Sequence, residues 1–279
     1  LSSLVKPSLS IITSIGSSHL ESLGSYDNIR KEKLDILTGE DKGNIIILDG
    51  DSEYEYSLKN RLEHKTIYCG TVNNECDFKA ENIQALCFNT IYDAVWNNFR
   101  QRIVLPAEGL HNVKNSLCAF AAGILCGIRP ENAASAIARF TPTGDRQRIY
   151  TTNNITVIAD CYNASPESMK AAFGVLASKN GRKIAVLGDM LELGKDEKRF
   201  HTENARLAAQ TADILIFIGS FANLCKDTLP DKKEVYAYNT DDKKNAAALL
   251  ISIMKPGDII LFKGSRRIHI DDIIKEAAL

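Results

Sequence analysis

Residues 158–173, IADCYNASPESMKAAF, join the end of one secondary-structure element to the start of the next. An apolar run closes on Asp160, and a short polar turn follows. Ser165 has the side chain of a helix N-cap, and Pro166 suits the first helical position. Apolar residues then recur at helical spacing, at Met169, Ala172, Phe173 and Leu176. The stretch predicts a strand, a tight turn and a helix.

The same alternation continues to the end of the chain. Short apolar runs alternate with helical segments, and the apolar runs are ITVIAD, KIAVLGD, DILIFIG, EVYAY and DIILFKG. This pattern predicts a doubly wound, Rossmann-like α/β domain over residues 142–279. Ligands of such sheets bind beyond the carboxyl ends of the strands. The residues predicted at those ends are Asp160, Asp189, Gly219 and Lys263.

The first half of the chain is less regular. SLSIITSIG, residues 8–16, is an apolar run typical of a strand buried on both faces of a parallel sheet. The further predicted elements are a helix around 27–38, strands at GNIIIL and KTIYCG, an antiparallel stretch over 77–106 and a helix over about 112–126. FTPTGDR, residues 140–146, breaks the last helical pattern and marks a domain boundary. Residues 1–141 are thus expected to form a separate α/β domain.

The composition is that of a globular protein with small-molecule ligands. The chain has 279 residues, 44% of them hydrophobic, which is enough for a substantial core in about two domains. Basic and acidic residues number 34 and 35, a balance that argues against binding to nucleic acid or a membrane surface. The seven cysteines lack CxxC spacing, and no apolar run reaches the roughly 20 residues that span a bilayer. We expect a cytoplasmic protein with reduced thiols and no membrane insertion.

Two residues near the first predicted strand are candidates for catalysis. His19 follows that strand, at the edge of the sheet where ligands bind. In the next helix, Lys33 shares a stripe with Ile29, Ile36 and Leu37 and is therefore expected to point inward. An inward lysine is costly unless it is paired, neutralised or modified. The alternatives are a lysine whose stem packs on the core while its ammonium reaches solvent, and a histidine that only caps or packs.

Other polar residues have both a structural and a functional interpretation. Asn112 and Asn115 lie in the first turn of a predicted helix, where asparagine is commonly a cap, but a carboxamide can also read an adenine edge. Arg146 lies at the predicted domain junction, where it is either solvated or in contact with a nucleotide. His201 is expected on a helix surface. Singly, these residues do not identify a function.

Six stretches taken in order resemble the Mur ligases, and among them the MurF type. They are HLESLGSYDNIRKEKLDIL, LPAEGLHNVKN, GDRQRI, DCYNASPESMKAAFGVL, KIAVLGDMLELG and GDIILFKGSR, and they extend over nearly the whole chain. DCYNASPESM and LGDMLELG favour the MurF type over its sister ligases. The family often has asparagine where this chain has Ser165, a change that preserves the helix cap.

The resemblance implies an ATP-dependent amide ligase of peptidoglycan precursor synthesis. Such enzymes add D-alanyl-D-alanine to UDP-N-acetylmuramoyl-tripeptide through an acyl phosphate, with ATP and Mg²⁺, and we expect a monomer. Carried onto this chain, the resemblance implies that His19 and Lys33 bind Mg²⁺, with Lys33 carbamylated to an anion that suits a hard cation. It also implies that ATP is contacted by Asn112, Asn115, Arg146 and Asp160, and that the reacting groups are faced by Tyr162, Asn163 and Ser165.

One family motif is missing. No phosphate loop of the form G-x-x-x-x-G-K-[ST] occurs, and the resemblance starts partway through the central ATPase domain. We therefore interpret residues 1–141 as a partial ATP-binding domain and residues 142–279 as the carboxyl-terminal domain of a longer ligase, inactive by themselves. The alternative hypothesis is a non-catalytic, Mur-ligase-like binding or partner module. A dinucleotide oxidoreductase is a weaker alternative, because G-x-G-x-x-G is also absent.

Overall fold

The chain divides into two compact units. The computed structural model describes residues 2–18, 20–39, 41, 43–141 and 146–279. Unit 1 comprises Leu1–Gly16 and Ser25–Thr141, and unit 2 comprises Ser17–Gly24 and Pro142–Leu279. The placement of Ser17–Gly24 in unit 2 departs from the predicted division into residues 1–141 and 142–279, because the residues on both sides of this segment in the chain belong to unit 1.

Unit 1 is built on a mixed six-stranded sheet. Its strands lie side by side in chain order and are β1 (Leu9–Ile11), β2 (Ile45–Asp49), β3 (Lys65–Gly70), β4 (Phe78–Leu86), β5 (Asn89–Trp96) and β6 (Phe99–Leu105). The strands from β1 to β4 pair in parallel, whereas β4, β5 and β6 form an antiparallel meander. The antiparallel stretch predicted over 77–106 is therefore confirmed.

The prediction for the first strand is wrong. SLSIITSIG predicts a long strand buried on both faces, but β1 contains three residues, of which only Ser10 is buried. Among the described residues β1 pairs with β2 alone and lies at the end of the sheet. An end strand is covered less completely than a central one, so Leu9 and Ile11 are only partly buried where they pack on the core.

Eleven helices are described along the chain. They are α1 (Ser2–Val5), α2 (Leu20–Leu23), α3 (Tyr26–Leu34), α4 (Glu53–Tyr56), α5 (Leu110–Leu125), α6 (Pro130–Ile137), α7 (Pro166–Ala177), α8 (Glu197–Thr211), α9 (Ala222–Asp227), α10 (Lys243–Ile253) and α11 (Asp271–Glu276). The helix predicted over about 112–126 corresponds to α5. It follows Gly109, whose φ of 94° favours glycine. The apolar stripe of α5 packs on the unit 1 sheet, with Phe120 5.2 Å from Trp96 between ring centroids.

Unit 2 is a doubly wound α/β domain, as the sequence predicts. Its strands are β7 (Arg148–Thr152), β8 (Ile155–Asp160), β9 (Lys183–Gly188), β10 (Ile214–Ile218), β11 (Glu234–Tyr238) and β12 (Ile259–Lys263), in the order β11-β10-β9-β12-β8-β7. The strands β8 to β12 pair in parallel, and β7 is antiparallel to β8. The central strands β9, β10 and β12 are almost entirely buried, which explains their continuous apolar runs.

The register of unit 2 brings its strand ends to one edge of the sheet. Lys263 at the end of β12 is the partner of Asp160 on β8 and of Leu187 on β9. Gly188 on β9 is in turn the partner of Ile218 on β10. The four predicted strand-end positions therefore lie along the carboxyl edge, which is where parallel sheets bind ligands.

The cysteines agree with the expectation from their spacing. All seven cysteines are free thiols, and Cys69, Cys118, Cys161 and Cys225 are buried. None of the helices in the described part of the chain has both the length and the apolar character needed to cross a membrane.

Candidate functional site

A buried lysine is paired with Asp160 at the carboxyl edge of unit 2. Lys263 Nζ lies 2.6 Å from Asp160 Oδ2 and 3.0 Å from the carbonyl oxygen of Asn163. The lysine side chain is 2% exposed and the aspartate side chain is 18% exposed. The carboxylate is therefore the more accessible member of the pair, as a ligand-binding role for Asp160 requires.

Arg146 is stacked on the turn that follows β8. Its guanidinium carbon lies 3.9 Å from the ring centroid of Tyr162, within the range of a cation–π contact. Both side chains are exposed, as is Asn163. The structure thus places Arg146, Asp160, Tyr162 and Asn163 around one turn of unit 2.

Ser165 is the N-cap of α7, as predicted. Its Oγ accepts a hydrogen bond from the Ser168 amide at 3.3 Å, and Ser168 Oγ accepts one from the Ser165 amide at 2.9 Å. This reciprocal pair is a capping box that satisfies two backbone donors at the start of the helix. The Ser165 hydroxyl is therefore engaged in holding the end of the turn.

The prediction that His201 lies on a helix surface is wrong. The residue is 4% exposed and stacks on Phe221 at 4.2 Å between ring centroids. His201 Nε2 accepts a hydrogen bond from the Met190 amide, so Nδ1 carries the proton and donates to the Glu197 carbonyl at 2.8 Å. Burial lowers the pKa of His201, and the ring is neutral. His201 faces inward because its ring supplies the partner that the Met190 amide needs.

Asp189 fixes the loop after β10. Its carboxylate accepts hydrogen bonds from the amides of Ser220 at 2.7 Å and Phe221 at 3.3 Å. Burial raises the pKa of Asp189, while the hydrogen bonds from these amides act in the opposite direction. A Cβ on Gly219 would lie 2.4 Å from the Asp189 carboxylate, so this strand end requires glycine. Asp189 and Gly219 therefore have structural roles at the edge.

The segment Ser17–Gly24 is attached to unit 2 through the first turn of α7. Glu167 Oε1 accepts from the Ser17 amide and Glu167 Oε2 accepts from Ser17 Oγ, both at 2.9 Å. The Glu21 amide also donates to the Glu192 carbonyl at 3.0 Å. Ser17 is fully buried, so its two donors depend on the Glu167 carboxylate.

Glu167→Ala is expected to loosen this segment. Loss of two charge-assisted hydrogen bonds should reduce its local stability by about 1 to 2 kcal/mol. Hydrogen exchange should then be faster at the amides of residues 17–24 and unchanged in β9 and β10. Lys170→Ala, which changes an exposed residue of the same helix, is the matched control. Equal protection of residues 17–24 in both variants would show that Glu167 does not hold the segment.

In unit 1, the predicted adenine-binding residues lie in the first two turns of α5. Asn112 is half-buried, and its Nδ2 donates to the Glu108 carbonyl at 2.8 Å. Asn115 is exposed. The carboxamide of Asn112 therefore serves the start of the helix, while that of Asn115 is accessible to a ligand.

Lys114, between these asparagines, pairs with two carboxylates at the carboxyl end of β2. Its Nζ lies 2.9 Å from both oxygens of Asp49 and 3.1 Å from Asp51 Oδ2. Burial alone would lower the pKa of Lys114, but the two carboxylates outweigh burial and raise it. Asp51 also accepts from the amides of Thr71, Val72 and Asn73, which together lower its pKa despite burial. This cluster fixes the start of α5 against the carboxyl end of β2.

Glu55 is a fully buried carboxyl group beside this cluster. Its Oε2 accepts from the Asp49 amide at 2.9 Å, whereas Oε1 has no hydrogen-bond partner in the described residues. Burial raises the pKa of Glu55 from 4.5 to about 7. The charge of Asp49 acts in the same direction, and that of Lys114 opposes it.

The expectation that Lys33 points inward is wrong for the described structure. Lys33 is exposed, while Ile29 on the same stripe is 1% exposed. α3 ends at Leu34 and continues as a 3₁₀ helix over Asp35–Gly39, so the apolar stripe does not extend as a single α-helical surface. The ammonium remains in water because burial of an unpaired cation is costly.

The predicted magnesium site falls only partly within the described residues. His19 lies outside that part of the chain, and Lys33 is exposed. No group of three His, Cys, Asp or Glu side chains is placed to hold a metal ion in the described ranges. Since one of the two predicted ligands lies outside the described residues, the assignment of both to Mg²⁺ stays a prediction.

Several interactions at these edges are absent from the predicted set. Lys263 is predicted only to end a strand, with no role of its own. The other residues that form these interactions without a predicted role are Asp49, Asp51, Lys114 and Glu167. The rule that ligands lie at strand ends would also have selected Asp49 and Asp51, which follow the run GNIIIL. No comparable signal identifies Glu167, because its partner Ser17 is 150 residues away in the chain.

Both halves of the chain match domains of known proteins. Residues 1–123 match the Mur ligase middle domain, and residues 145–266 match the Mur ligase glutamate ligase domain. The chain is 34% identical over 281 residues to the UDP-N-acetylmuramoyl-tripeptide–D-alanyl-D-alanine ligase of Bacillus subtilis (strain 168). The aligned region covers 99% of this chain and 60% of that ligase.

Solved MurF structures have the same fold. The MurF structure from Acinetobacter baumannii matches with a TM-score of 0.90 at 25% identity, covering 99% of this chain and 60% of that one. The MurF structure from Thermotoga maritima, solved in complex with ADP, matches with a TM-score of 0.86 at 22% identity, covering 98% and 62%. The chain thus spans about three fifths of the length of these relatives. Since both Mur ligase domains match in sequence and in fold, the chain belongs to the Mur ligase family.

Proposed function

We propose that the chain forms part of a cytoplasmic, monomeric ligase of peptidoglycan synthesis. The ligase joins D-alanyl-D-alanine to UDP-N-acetylmuramoyl-tripeptide and uses ATP. The observation that carries this proposal is the similarity to the Bacillus subtilis ligase over 99% of the chain. Similarity of this extent to enzymes does not favour a non-catalytic binding module.

The proposal assigns nucleotide-contacting residues in each unit separately. Asn115, with Asn112 beside it, supplies a carboxamide for the adenine edge. Asp160 accepts from the ribose hydroxyls through the oxygen that Lys263 does not engage. Arg146 contacts the phosphates, because a guanidinium pairs well with phosphate oxygens. The exposure of Asn115 and Arg146 supports these assignments, since a ligand can reach both side chains.

The reaction joins a carboxylate to an amine in two steps. A carboxylate oxygen of the tripeptide attacks the γ-phosphorus of ATP, which releases ADP and forms an acyl phosphate. The amine of D-alanyl-D-alanine then attacks the acyl carbon, and the nitrogen loses a proton as inorganic phosphate leaves. We assign Tyr162 and Asn163 to positioning the reacting groups, and Ser165 to holding the turn through its cap.

Mg²⁺ belongs to this proposal only through the family resemblance. The described residues gather no metal site, so no step of the reaction is assigned to the ion. The roles of His19 and Lys33 as magnesium ligands are proposals that rest on the matching motif HLESLGSYDNIRKEKLDIL.

Activity is best tested in a joined protein, in which residues 1–279 follow the part of the Bacillus subtilis ligase that precedes the aligned region. We expect it to release ADP from ATP over many turnovers only when UDP-N-acetylmuramoyl-tripeptide and D-alanyl-D-alanine are both present. The residues 1–279 alone are the matched control. Multiple-turnover ADP release that is independent of D-alanyl-D-alanine would contradict the proposed amine substrate.

The role of Lys33 can be tested in the same joined protein. If Lys33 is carbamylated, Lys33→Arg should lower kcat by about 10²-fold, because arginine keeps the positive charge and cannot take up CO₂. Lys31→Arg, at another exposed lysine of α3, should leave kcat unchanged. Normal kcat in Lys33→Arg would show that Lys33 is the solvated lysine that its exposure in this structure indicates.

A further inference from the structure

Lys263 is a buried cation in contact with the proposed nucleotide site, and the family resemblance gives it no role. It ends β12, a strand with β9 on one side and β8 on the other, and its side chain is 2% exposed. A lysine this deeply buried needs acceptors for its ammonium group. Two are present, the Asp160 carboxylate at 2.6 Å and the Asn163 carbonyl at 3.0 Å.

We propose that Lys263 is a positioning residue, whose ammonium group fixes the Asp160 carboxylate and the following turn in one conformation. The expected effect on ATP binding rests on the proposed function, in which Asp160 is assigned to the ribose. The contacts themselves are independent of that assignment, because Lys263 joins the strand end to a backbone carbonyl three residues later.

The asymmetry of the ion pair supports positioning. The cation lies beneath the edge and the carboxylate is the more exposed partner. Lys263 engages Oδ2, and Asp160 Oδ1 accepts no hydrogen bond from the described residues. One oxygen is therefore fixed and the other is available to a ligand. A buried ion pair is a weak source of stability, because desolvation offsets the attraction, but it does determine the direction of the carboxylate.

The contact between Lys263 and the Asn163 carbonyl also fixes the turn after β8. The Asn163 carbonyl accepts from Lys263, Asn163 Oδ1 accepts from the Ala164 amide at 2.9 Å, and the Ser165 amide donates to the capping box. These bonds form a continuous chain from β12 to the start of α7. Tyr162, on which Arg146 stacks, lies between the two residues that Lys263 contacts.

The direct test is hydrogen exchange at the Ala164 and Ser165 amides in the 279-residue chain. Lys263→Met should accelerate exchange at both amides by about tenfold or more, since the turn loses the donor that holds it. Amides of β10 should be unchanged, as should both turn amides in Lys170→Met, which alters an exposed lysine of the same unit. Unchanged exchange at the turn in Lys263→Met would overturn the proposal.

A double variant separates positioning from simple charge compensation, and it remains informative if Lys263→Met unfolds. The double variant Lys263→Met with Asp160→Asn removes both charges of the ion pair, so no unpaired charge remains at the edge. If Lys263 acts only as the counter-ion of Asp160, exchange at Ala164 and Ser165 should be native in the double variant. If Lys263 positions the turn, exchange at Ala164 and Ser165 stays fast in the double variant, because the Asn163 carbonyl still lacks its donor. Native exchange in the double variant would overturn the proposal.

The consequence for ATP is measured in the joined protein. Lys263→Met should raise the KM for ATP by about tenfold, with a smaller change in kcat, because the ribose contact is misdirected. A normal KM in Lys263→Met, with a raised KM in Asp160→Asn, would overturn the functional role of Lys263. A normal KM in Asp160→Asn would instead reject the nucleotide assignment of Asp160, and the exchange data would then decide the structural role of Lys263 alone.

Discussion

The 279-residue chain is expected to release phosphate from ATP no faster than a protein-free solution, even with Mg²⁺, UDP-N-acetylmuramoyl-tripeptide and D-alanyl-D-alanine present. Positioning and electrostatic stabilisation supply nearly all catalysis of phosphoryl transfer. The sequence contains no phosphate loop, so it lacks both the backbone amides and the lysine that hold the β and γ phosphates.

This expectation is checked by a phosphate-release assay on the purified chain, with the joined protein as the positive control. Circular dichroism on the same sample establishes that the chain is folded. Turnover that depends on D-alanyl-D-alanine, by the chain without a phosphate loop, would refute the account of where ATP is held.

The second large effect concerns Glu55 and the pH dependence of unit 1 stability. Its carboxyl group has a pKa of about 7 in the folded chain against 4.5 for an exposed glutamate. Between these pH values the folded state binds a proton that the unfolded state has released. This proton binding stabilises the folded state. The stabilisation is fully present below pH 4.5 and is lost as the pH rises to about 7. The whole shift corresponds to about 3 kcal/mol.

Glu55→Gln should remove this dependence, because the amide cannot ionise at any pH in the window. At pH 8 the variant should be more stable than the parent by up to about 3 kcal/mol, and at pH 4.5 the two should be similar. Trp96, the only tryptophan, lies in the core of unit 1, so its fluorescence during denaturant unfolding reports on this unit. Glu53→Gln, at an exposed position of the same helix, is the control. The same pH slope in parent and Glu55→Gln would contradict a buried, protonated Glu55.

The sequence predicts the fold of unit 2 well because each element leaves a local signal. ITVIAD and EVYAY coincide with β8 and β11, and the Ser165 cap and Pro166 mark the first turn of α7. Buried parallel strands need continuous apolar runs, and a helix N-terminus needs a side-chain acceptor. These requirements are met by neighbouring residues and can be read directly from the chain.

The errors arise where the answer depends on distant residues. Lys33 shares a stripe with Ile29, yet it is exposed, because periodicity cannot show where the packing surface ends. His201 looks like a surface residue of α8 but is buried, since it bonds to the Met190 amide. The pairs Lys263–Asp160 and Ser17–Glu167 join residues more than 100 positions apart, which no local pattern reveals.

The most direct test of the central claim is mass spectrometry of the joined protein's product. With ATP present, we expect a product whose mass equals the sum of UDP-N-acetylmuramoyl-tripeptide and D-alanyl-D-alanine less one water. The product should be absent when ATP or D-alanyl-D-alanine is omitted, and absent with residues 1–279 alone. A joined protein that is folded, binds ATP and UDP-N-acetylmuramoyl-tripeptide, and forms no such product would contradict the claim that this chain is part of a MurF-type ligase.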